Sequence, residues 1–214
     1  MPLLDHFHPP LVGRRHWESF YSSWISTISA MLNRSLPSDY FAEMRVRVRP
    51  RVEANEVPLS AADLTLPATF PREFGVNVYE TSGGPTLVAA IELVSPGNKD
   101  RDETRRAFAA KCATYIQRAI GLVVVDIVTS RLSQPFTEFM ALVYPEQPAP
   151  APMPLTAVSY RPVRVDGADS LEIRFRPLAV GQALPVLPLA LGGLGHVTVD
   201  FEATYEDARE RSRL

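Results

Sequence analysis

Residues 86–130, TLVAAIELVSPGNKDRDETRRAFAAKCATYIQRAIGLVVVDIVTS, contain two apolar runs separated by a helical pattern. The runs TLVAAIELVS and LVVVDIVTS have the length and the β-branched content of buried strands. The segment between them has acidic residues in its first turn and Gly121 at its end, as a helix does. A helix between two strands is the connection that makes them parallel neighbours. This block therefore predicts an α/β core with a mixed sheet and excludes an all-β fold.

Further elements are indicated on both sides of this block. Aromatic and aliphatic residues at helical spacing predict an amphipathic helix within residues 16–36. Gly83 and Gly84 can take the positive φ of a tight hairpin turn in front of residue 86. Alternating or β-branched runs predict strands at residues 40–49, 51–59, 74–80, 155–163, 170–178 and 196–200, and a charged helix ends the sequence.

The Pro/Ala-rich segment PEQPAPAPMP divides the chain. Such a composition favours a stiff, extended strap. We therefore expect a core in residues 1–144, a strap in residues 145–154, and C-terminal strands and a helix that pack on the core in residues 155–214.

The amino-acid composition indicates what class of protein this is and which partners it favours. The chain of 214 residues is 46% hydrophobic and 21% charged, which is typical of a globular domain. Its formal net charge of -2 provides no global positive field for nucleic acid, so such a partner has to be argued from local patches. The single Cys112, and the absence of a secretory signal or a bilayer-spanning apolar stretch, predict a cytoplasmic protein without membrane association.

Glu92 is an unexpected residue in the strand TLVAAIELVS. Both faces of that strand are otherwise apolar, and an ionised carboxylate is buried only when it is paired, hydrogen-bonded or bound to a cation. Lys99 follows at the strand end, and the next helix carries Arg105 and Lys111 about 60° to either side of its apolar stripe. A plain structural salt bridge is as good an interpretation of Glu92 as a functional site.

The segments AAIELVSPGNKDR, K-x-x-x-Y at Lys111–Tyr115 and GLVVVDIVTSR resemble a bacterial family of unknown function in the Uma-like branch of the PD-(D/E)XK nuclease superfamily. The resemblance extends more weakly to the two ends of the chain. It implies a restriction-endonuclease-like core with flanking helices and a C-terminal strand extension. It also implies a site in which an acidic residue on one strand and a Glu on the next bind Mg²⁺ or Mn²⁺, while a Lys positions the attacking water.

The resemblance assigns these roles to particular residues. Glu92 matches the metal-binding Glu, and Val94 stands where the Lys usually follows it, so the Lys role moves to Lys111 or Lys99. Asn55 stands where relatives carry the strand Asp. Asn is a weaker ligand for a hard cation than Asp, so either Glu53 on the same strand face replaces it or the site is degraded.

Three other signals have both a functional and an ordinary interpretation. Arg45, Arg47 and Arg49 share one strand face and could contact phosphates, as could Arg105, although a solvated sheet face is the commoner explanation. A ligand role for Glu18 or for the N-terminal histidines, His6, His8 and His16, competes with the simpler interpretation as surface residues. Cys112 lies on the apolar stripe of its helix and is expected to be a core residue.

Two functions from different classes remain open at this point. One is a divalent-metal-dependent phosphodiesterase that acts on nucleic acid. The alternative is a catalytically degraded binding or scaffold protein that keeps the fold. A homodimer formed along an exposed sheet edge is a further open alternative.

Overall fold

The computed structural model describes residues 2–47, 73–148, 151, 153–192 and 195–214. Its α-helices within these ranges are α1 Trp17–Ser35, α2 Asp102–Gln117, α3 Pro135–Val143 and α4 Phe201–Arg211. Its strands are β1 Tyr40–Arg47, β2 Glu73–Glu80, β3 Thr86–Leu93, β4 Gly121–Asp126, β5 Thr156–Val165, β6 Ala168–Pro177, β7 Val186–Ala190 and β8 His196–Asp200. A short 3₁₀ helix, Pro96–Lys99, connects β3 to α2.

Within the described residues, strands β1 to β6 form one sheet in which each strand lies beside its neighbour in sequence. All the pairs are antiparallel except β3 and β4, which are parallel and are connected through α2. The expected mixed α/β sheet and its crossover are therefore confirmed. Strands β7 and β8 form a separate antiparallel pair.

The two faces of the large sheet are covered by different helices. On one face, Phe74 of β2 contacts Trp17 and Tyr21 of α1, and α4 packs beside α1 through the contact of Tyr205 with Trp24. Strands β7 and β8 lie on this face too, where the Pro188 carbonyl accepts a hydrogen bond from Ser159 Oγ at 2.6 Å. The opposite face is covered by α2 and α3. It carries Glu92.

Several expectations about local structure are confirmed, and others differ. Gly83 and Gly84 have φ values of 88° and 110° in the β2–β3 turn, as predicted. Gly121 does not end α2. The positive φ falls on Ala119, at 56°, and Gly121 begins β4, where an added Cβ would clash with the Ala190 carbonyl of β7. The extended piece expected at residues 51–59 lies outside the described residues.

Two elements have no counterpart in the sequence prediction. Helix α3 has nine residues, fewer than an isolated helix needs for stability, and begins at a proline, which the first turn of a helix accommodates. Strand β7 contains Pro188 within a five-residue run, and proline is usually a signal against a strand. Both elements owe their conformation to packing on the sheet. No helix in the described ranges has the length and apolar character needed to cross a bilayer.

Candidate functional site

Glu92 is fully buried on β3, on the face covered by α2. Lys111 of α2 donates from Nζ to Glu92 Oε2 at 2.8 Å, and Tyr115, one helical turn later, donates from its hydroxyl to Oε1 at 3.0 Å. Arg45 of β1 also donates to Oε1. Lys111 is therefore in contact with Glu92, as the sequence led us to expect, and Tyr115 and Arg45 are further partners.

Gly75 allows Arg45 to reach Glu92 across an intervening strand. Arg45 is opposite Gly75 in the β1–β2 pair, and Gly75 is opposite Glu92 in the β2–β3 pair. Directly opposite residues point to the same face of a sheet, so these three form one row. An added Cβ at Gly75 would lie 3.4 Å from Glu92 Oε2 and would clash with the Ile91 carbonyl oxygen. Because Gly75 has no side chain, the guanidinium of Arg45 and the carboxylate of Glu92 can occupy the space above it.

Glu73 is a second carboxylate in the same place, and the sequence prediction does not include it. It contacts Arg45, and its Oε1 lies 3.4 Å from Lys111 Nζ. Its position depends on an irregularity in the β2–β3 hairpin. The register shifts by one residue between Val78 and Tyr79, so that Gly75, not Phe74, is opposite Glu92. Because residues two apart share a face, this shift places Glu73 beside Glu92.

These residues form a compact charged cluster, which we call the Glu92 cluster: Glu73, Glu92, Arg45, Lys111 and Tyr115. With both carboxylates ionised and both cations protonated, its formal charge is zero. The side chains of Arg45 and Lys111 are each 20% exposed, whereas that of Glu92 is 1% exposed. The cations therefore stand between the buried carboxylate and solvent.

The electrostatics of the cluster favour this charge assignment. Burial opposes the charged form of Arg45, but the neighbouring carboxylates, Glu92 foremost, outweigh it and keep the pKa of the guanidinium above its ordinary value. Burial and the negative charge of Glu92 raise the pKa of Tyr115, which therefore stays a hydrogen-bond donor. Burial likewise raises the pKa of Cys112 to about 12, so this thiol is a core group rather than a nucleophile.

Lys99 contacts a different carboxylate. Its Nζ donates to Asp126 Oδ2 at 2.8 Å and to the carbonyls of Val128 and Pro154 at 3.1 and 3.3 Å. Both side chains are almost fully buried, and burial raises the pKa of Asp126 to about 6 although Lys99 acts in the opposite direction. Lys99 thus belongs to a buried ion pair at the end of β4, and its contacts do not include Glu92.

Of the arginines expected to contact nucleic acid, Arg45 and Arg105 have described side chains, and both contact carboxylates. Arg45 turns its guanidinium onto Glu73 and Glu92. Arg105 donates from Nε to Glu138 at 2.9 Å and also contacts Asp102. The side chain of Arg47 and the whole of Arg49, Glu53 and Asn55 lie outside the described residues.

The other candidate ligands are placed as follows. His6 is buried, shares a hydrogen bond of 2.6 Å with the Tyr205 hydroxyl and stacks on Phe20. His8 Nδ1 is 3.0 Å from Asp5 Oδ2. Glu18 is in the first turn of α1. No group of three or more His, Cys, Asp or Glu side chains suited to hold a metal occurs in the described ranges.

The Glu92 cluster nevertheless has a donor set that suits a hard cation. Glu73 and Glu92 are oxygen donors from neighbouring strands, and they already share two cationic groups, Arg45 and Lys111. Mg²⁺ is commonly held by one or two carboxylates, with water and substrate phosphate completing its shell. A divalent ion held between Glu73 and Glu92 would take the place of one of these two cations at the carboxylates.

Comparison of the chain with protein-family models, with curated proteins and with solved structures finds no match.

Proposed function

We propose that this chain is a divalent-metal-dependent phosphodiesterase that acts on nucleic acid, with Glu92 and Glu73 as its metal carboxylates. The observation that carries the proposal is the convergence of two carboxylates from neighbouring strands with Lys111 from the following helix. An acidic residue on one strand and a Glu on the next is the arrangement implied by the resemblance to the PD-(D/E)XK superfamily. In this proposal Glu73 takes the role that the sequence suggested for Glu53 or Asn55.

Each residue of the cluster has a role in this proposal. When bound, Mg²⁺ or Mn²⁺ would activate a water molecule and stabilise the negative charge that develops on the phosphate. Lys111 Nζ already donates to Glu92 and lies close to Glu73, so the same ammonium can hold the oxygen of the attacking water beside both carboxylates. Tyr115 fixes the orientation of Glu92 through Oε1.

A second function is favoured by a different observation. Both oxygens of the buried Glu92 already accept hydrogen bonds, and the charges of the cluster cancel. Because its hydrogen bonds and charges are already balanced, the Glu92 cluster needs no bound ligand for stability. On this evidence the alternative is a non-catalytic binding or scaffold protein in which the cluster joins α2 to the β1–β3 part of the sheet.

Calorimetric titration with Mn²⁺ separates the two functions. We expect binding to the wild type, loss of that binding in Glu92→Gln and weaker binding in Glu73→Gln. Glu138→Gln is the matched control, because Glu138 pairs with Arg105 away from the cluster. Far-UV circular dichroism checks that each variant is folded. A wild type that binds no Mn²⁺ would contradict the phosphodiesterase and leave the scaffold function.

Positive binding would lead to a cleavage assay. Single- and double-stranded DNA and RNA would each be incubated with wild type, Glu92→Gln and Lys111→Gln in the presence of Mn²⁺ or Mg²⁺. Cleavage by the wild type alone supports the proposed roles. Equal cleavage by wild type and Glu92→Gln would indicate a contaminating nuclease and count against them.

We also propose a cellular location and an assembly state for this chain. A nuclease with a single, buried cysteine is compatible with the reducing cytoplasm, which we retain as the expected location. A homodimer is also retained as a proposal, since β6 is an outer strand of the six-stranded sheet in the described part of the chain. Analytical ultracentrifugation across a concentration series tests the dimer.

A further inference from the structure

Arg45 and Lys111 divide the carboxylate oxygens of the Glu92 cluster between them. Arg45 donates from Nη1 to Glu73 Oε2 and from Nη2 to Glu92 Oε1. Lys111 contacts the other two oxygens, Glu73 Oε1 and Glu92 Oε2. Each cation therefore bridges the two carboxylates, and the planar fork of a guanidinium is well suited to this arrangement.

A divalent ion cannot simply be added to this cluster. Adding two positive charges to a neutral, largely buried group would leave the cluster strongly positive, and charges at such distances repel strongly where water is scarce. One of the two resident cations has to give up its carboxylate contacts. If Lys111 stays to hold the nucleophile, Arg45 is the group that has to leave.

The surroundings of Arg45 agree with its being the mobile cation. It comes from β1, an outer strand of the sheet in the described part of the chain, whereas Lys111 comes from a helix packed on the sheet and also lies over the Phe108 ring at 5.2 Å. Arg45 Nε is buried and has no hydrogen-bond partner among the described residues, so leaving the site would also let water reach this nitrogen.

We propose that Arg45 competes with the divalent cation for Glu73 and Glu92, so that the metal-free site is held closed by a guanidinium that metal binding displaces. This inference rests on the proposed metal-dependent function and adds to it a residue that sets metal affinity. It also assigns to Arg45 a role inside the site, distinct from the phosphate contact suggested by the arginine stripe.

The first test measures Mn²⁺ affinity by calorimetry in wild type and Arg45→Gln. Because Arg45 makes two charge-assisted hydrogen bonds that metal binding must break, we expect the variant to bind Mn²⁺ about tenfold more tightly or better. Arg105→Gln, which removes one positive charge elsewhere, is the matched control and should bind as the wild type does. Equal or weaker binding by Arg45→Gln overturns the inference.

A second measurement uses the wild type, since Arg45→Gln also removes a buried partner and could unfold. Phenylglyoxal labels accessible guanidinium groups, and mass spectrometry locates the label. We expect labelling of Arg45 to rise several-fold when Mg²⁺ is added, while that of Arg161, a surface residue, stays constant. Unchanged labelling of Arg45 under conditions where calorimetry shows bound metal overturns the inference.

The outcomes also distinguish this inference from the proposed function. If neither wild type nor Arg45→Gln binds Mn²⁺, the metal-dependent function and the inference both fail. If wild type binds through Glu92 and Arg45→Gln binds no more tightly, the function stands and the competition by Arg45 is wrong.

Discussion

At the scale of single residues, Glu92 is stabilised by its neighbours rather than by water. The cost of burying a carboxylate is several kcal/mol, and it is offset here by Lys111, Tyr115 and Arg45. If Glu92 loses its negative charge, Arg45 and Lys111 both lose a charged hydrogen-bond acceptor. The cluster should therefore contribute to stability whether or not it binds a metal.

Glu92→Gln tests this contribution. Gln keeps the shape of Glu but cannot neutralise two cations, so we expect the free energy of unfolding to fall by about 3 kcal/mol. Urea denaturation monitored by circular dichroism measures the change. Glu138→Gln, which affects a partly exposed pair, should change stability by less than about 1 kcal/mol. A loss below about 1 kcal/mol in Glu92→Gln would mean that its partners are solvated in the folded protein.

Gly75→Ala tests the row that connects β1 to β3. The added methyl group would clash with the Ile91 carbonyl and press on Glu92, so we expect a loss of about 2 kcal/mol or more in the free energy of unfolding. Gly97→Ala is the matched control, because the nearest described atom to its Cβ would be Ser95 Oγ, at an ordinary contact distance of 3.7 Å. Similar losses in the two variants would show that the space above Gly75 is not a constraint.

At the scale of elements, hydrophobic periodicity predicted the strands and the helix around Glu92, whereas the prediction did not include Glu73. The strands around Glu92, the crossover helix and the position of Lys111 on that helix follow from hydrophobic patterns. Glu73 could have been found from the sequence, because a two-residue turn at Gly83 and Gly84 pairs Gly75 with Glu92 and places Glu73 on the same face as Glu92. The structure reaches this register by another route: Glu80 is opposite Thr86 beside the turn, and the one-residue shift between Val78 and Tyr79 then brings Gly75 opposite Glu92.

Lys99 illustrates a second limit at this scale. The sequence shows that a lysine follows β3, but whether its long side chain turns toward β3 or toward β4 depends on the path of the connecting 3₁₀ helix. In the structure it turns to Asp126, a carboxylate whose burial at the end of β4 is itself a consequence of packing by α2 and α3. Tertiary packing, rather than the local sequence pattern, therefore determines that Lys99 pairs with Asp126.

His6, in the segment before α1, contacts Phe20 of α1 and Tyr205 of α4. Because this histidine is buried, we expect the free energy of unfolding to depend on pH. Burial, aided by Arg209, lowers the pKa of His6 to about 4. The unfolded chain, with a pKa near 6.5, therefore binds more protons than the folded one between these values, and stability falls as pH decreases through this range. We expect the wild type to lose about 2 kcal/mol relative to His6→Gln between pH 7 and pH 5.

Urea denaturation of both proteins at pH 7, 6 and 5 measures this difference. A difference in unfolding free energy that stays constant with pH would show that His6 is protonated as easily in the folded protein as in the unfolded one.

At the scale of the whole molecule, the Lys99–Asp126 pair connects parts of the chain that are distant in sequence. Lys99 lies before α2, Asp126 ends β4, and the Pro154 carbonyl that Lys99 also contacts belongs to the strap expected at residues 145–154. The strands that follow the strap extend the same six-stranded sheet, because β5 pairs with β4. This buried pair therefore fixes the point at which the C-terminal strands join the core.

The pH dependence of this pair has the opposite sign to that of His6. Because burial raises the pKa of Asp126 to about 6, the folded protein binds a proton more readily than the unfolded chain between pH 4 and pH 6. The contribution of this group to stability is full below about pH 4 and is lost as pH rises through 6. We expect wild type to gain about 1 kcal/mol relative to Asp126→Asn between pH 7 and pH 5. Urea denaturation at each pH measures this difference. If the wild type instead loses stability relative to Asp126→Asn between pH 7 and pH 5, then Lys99 outweighs burial and holds the pKa of Asp126 below its ordinary value.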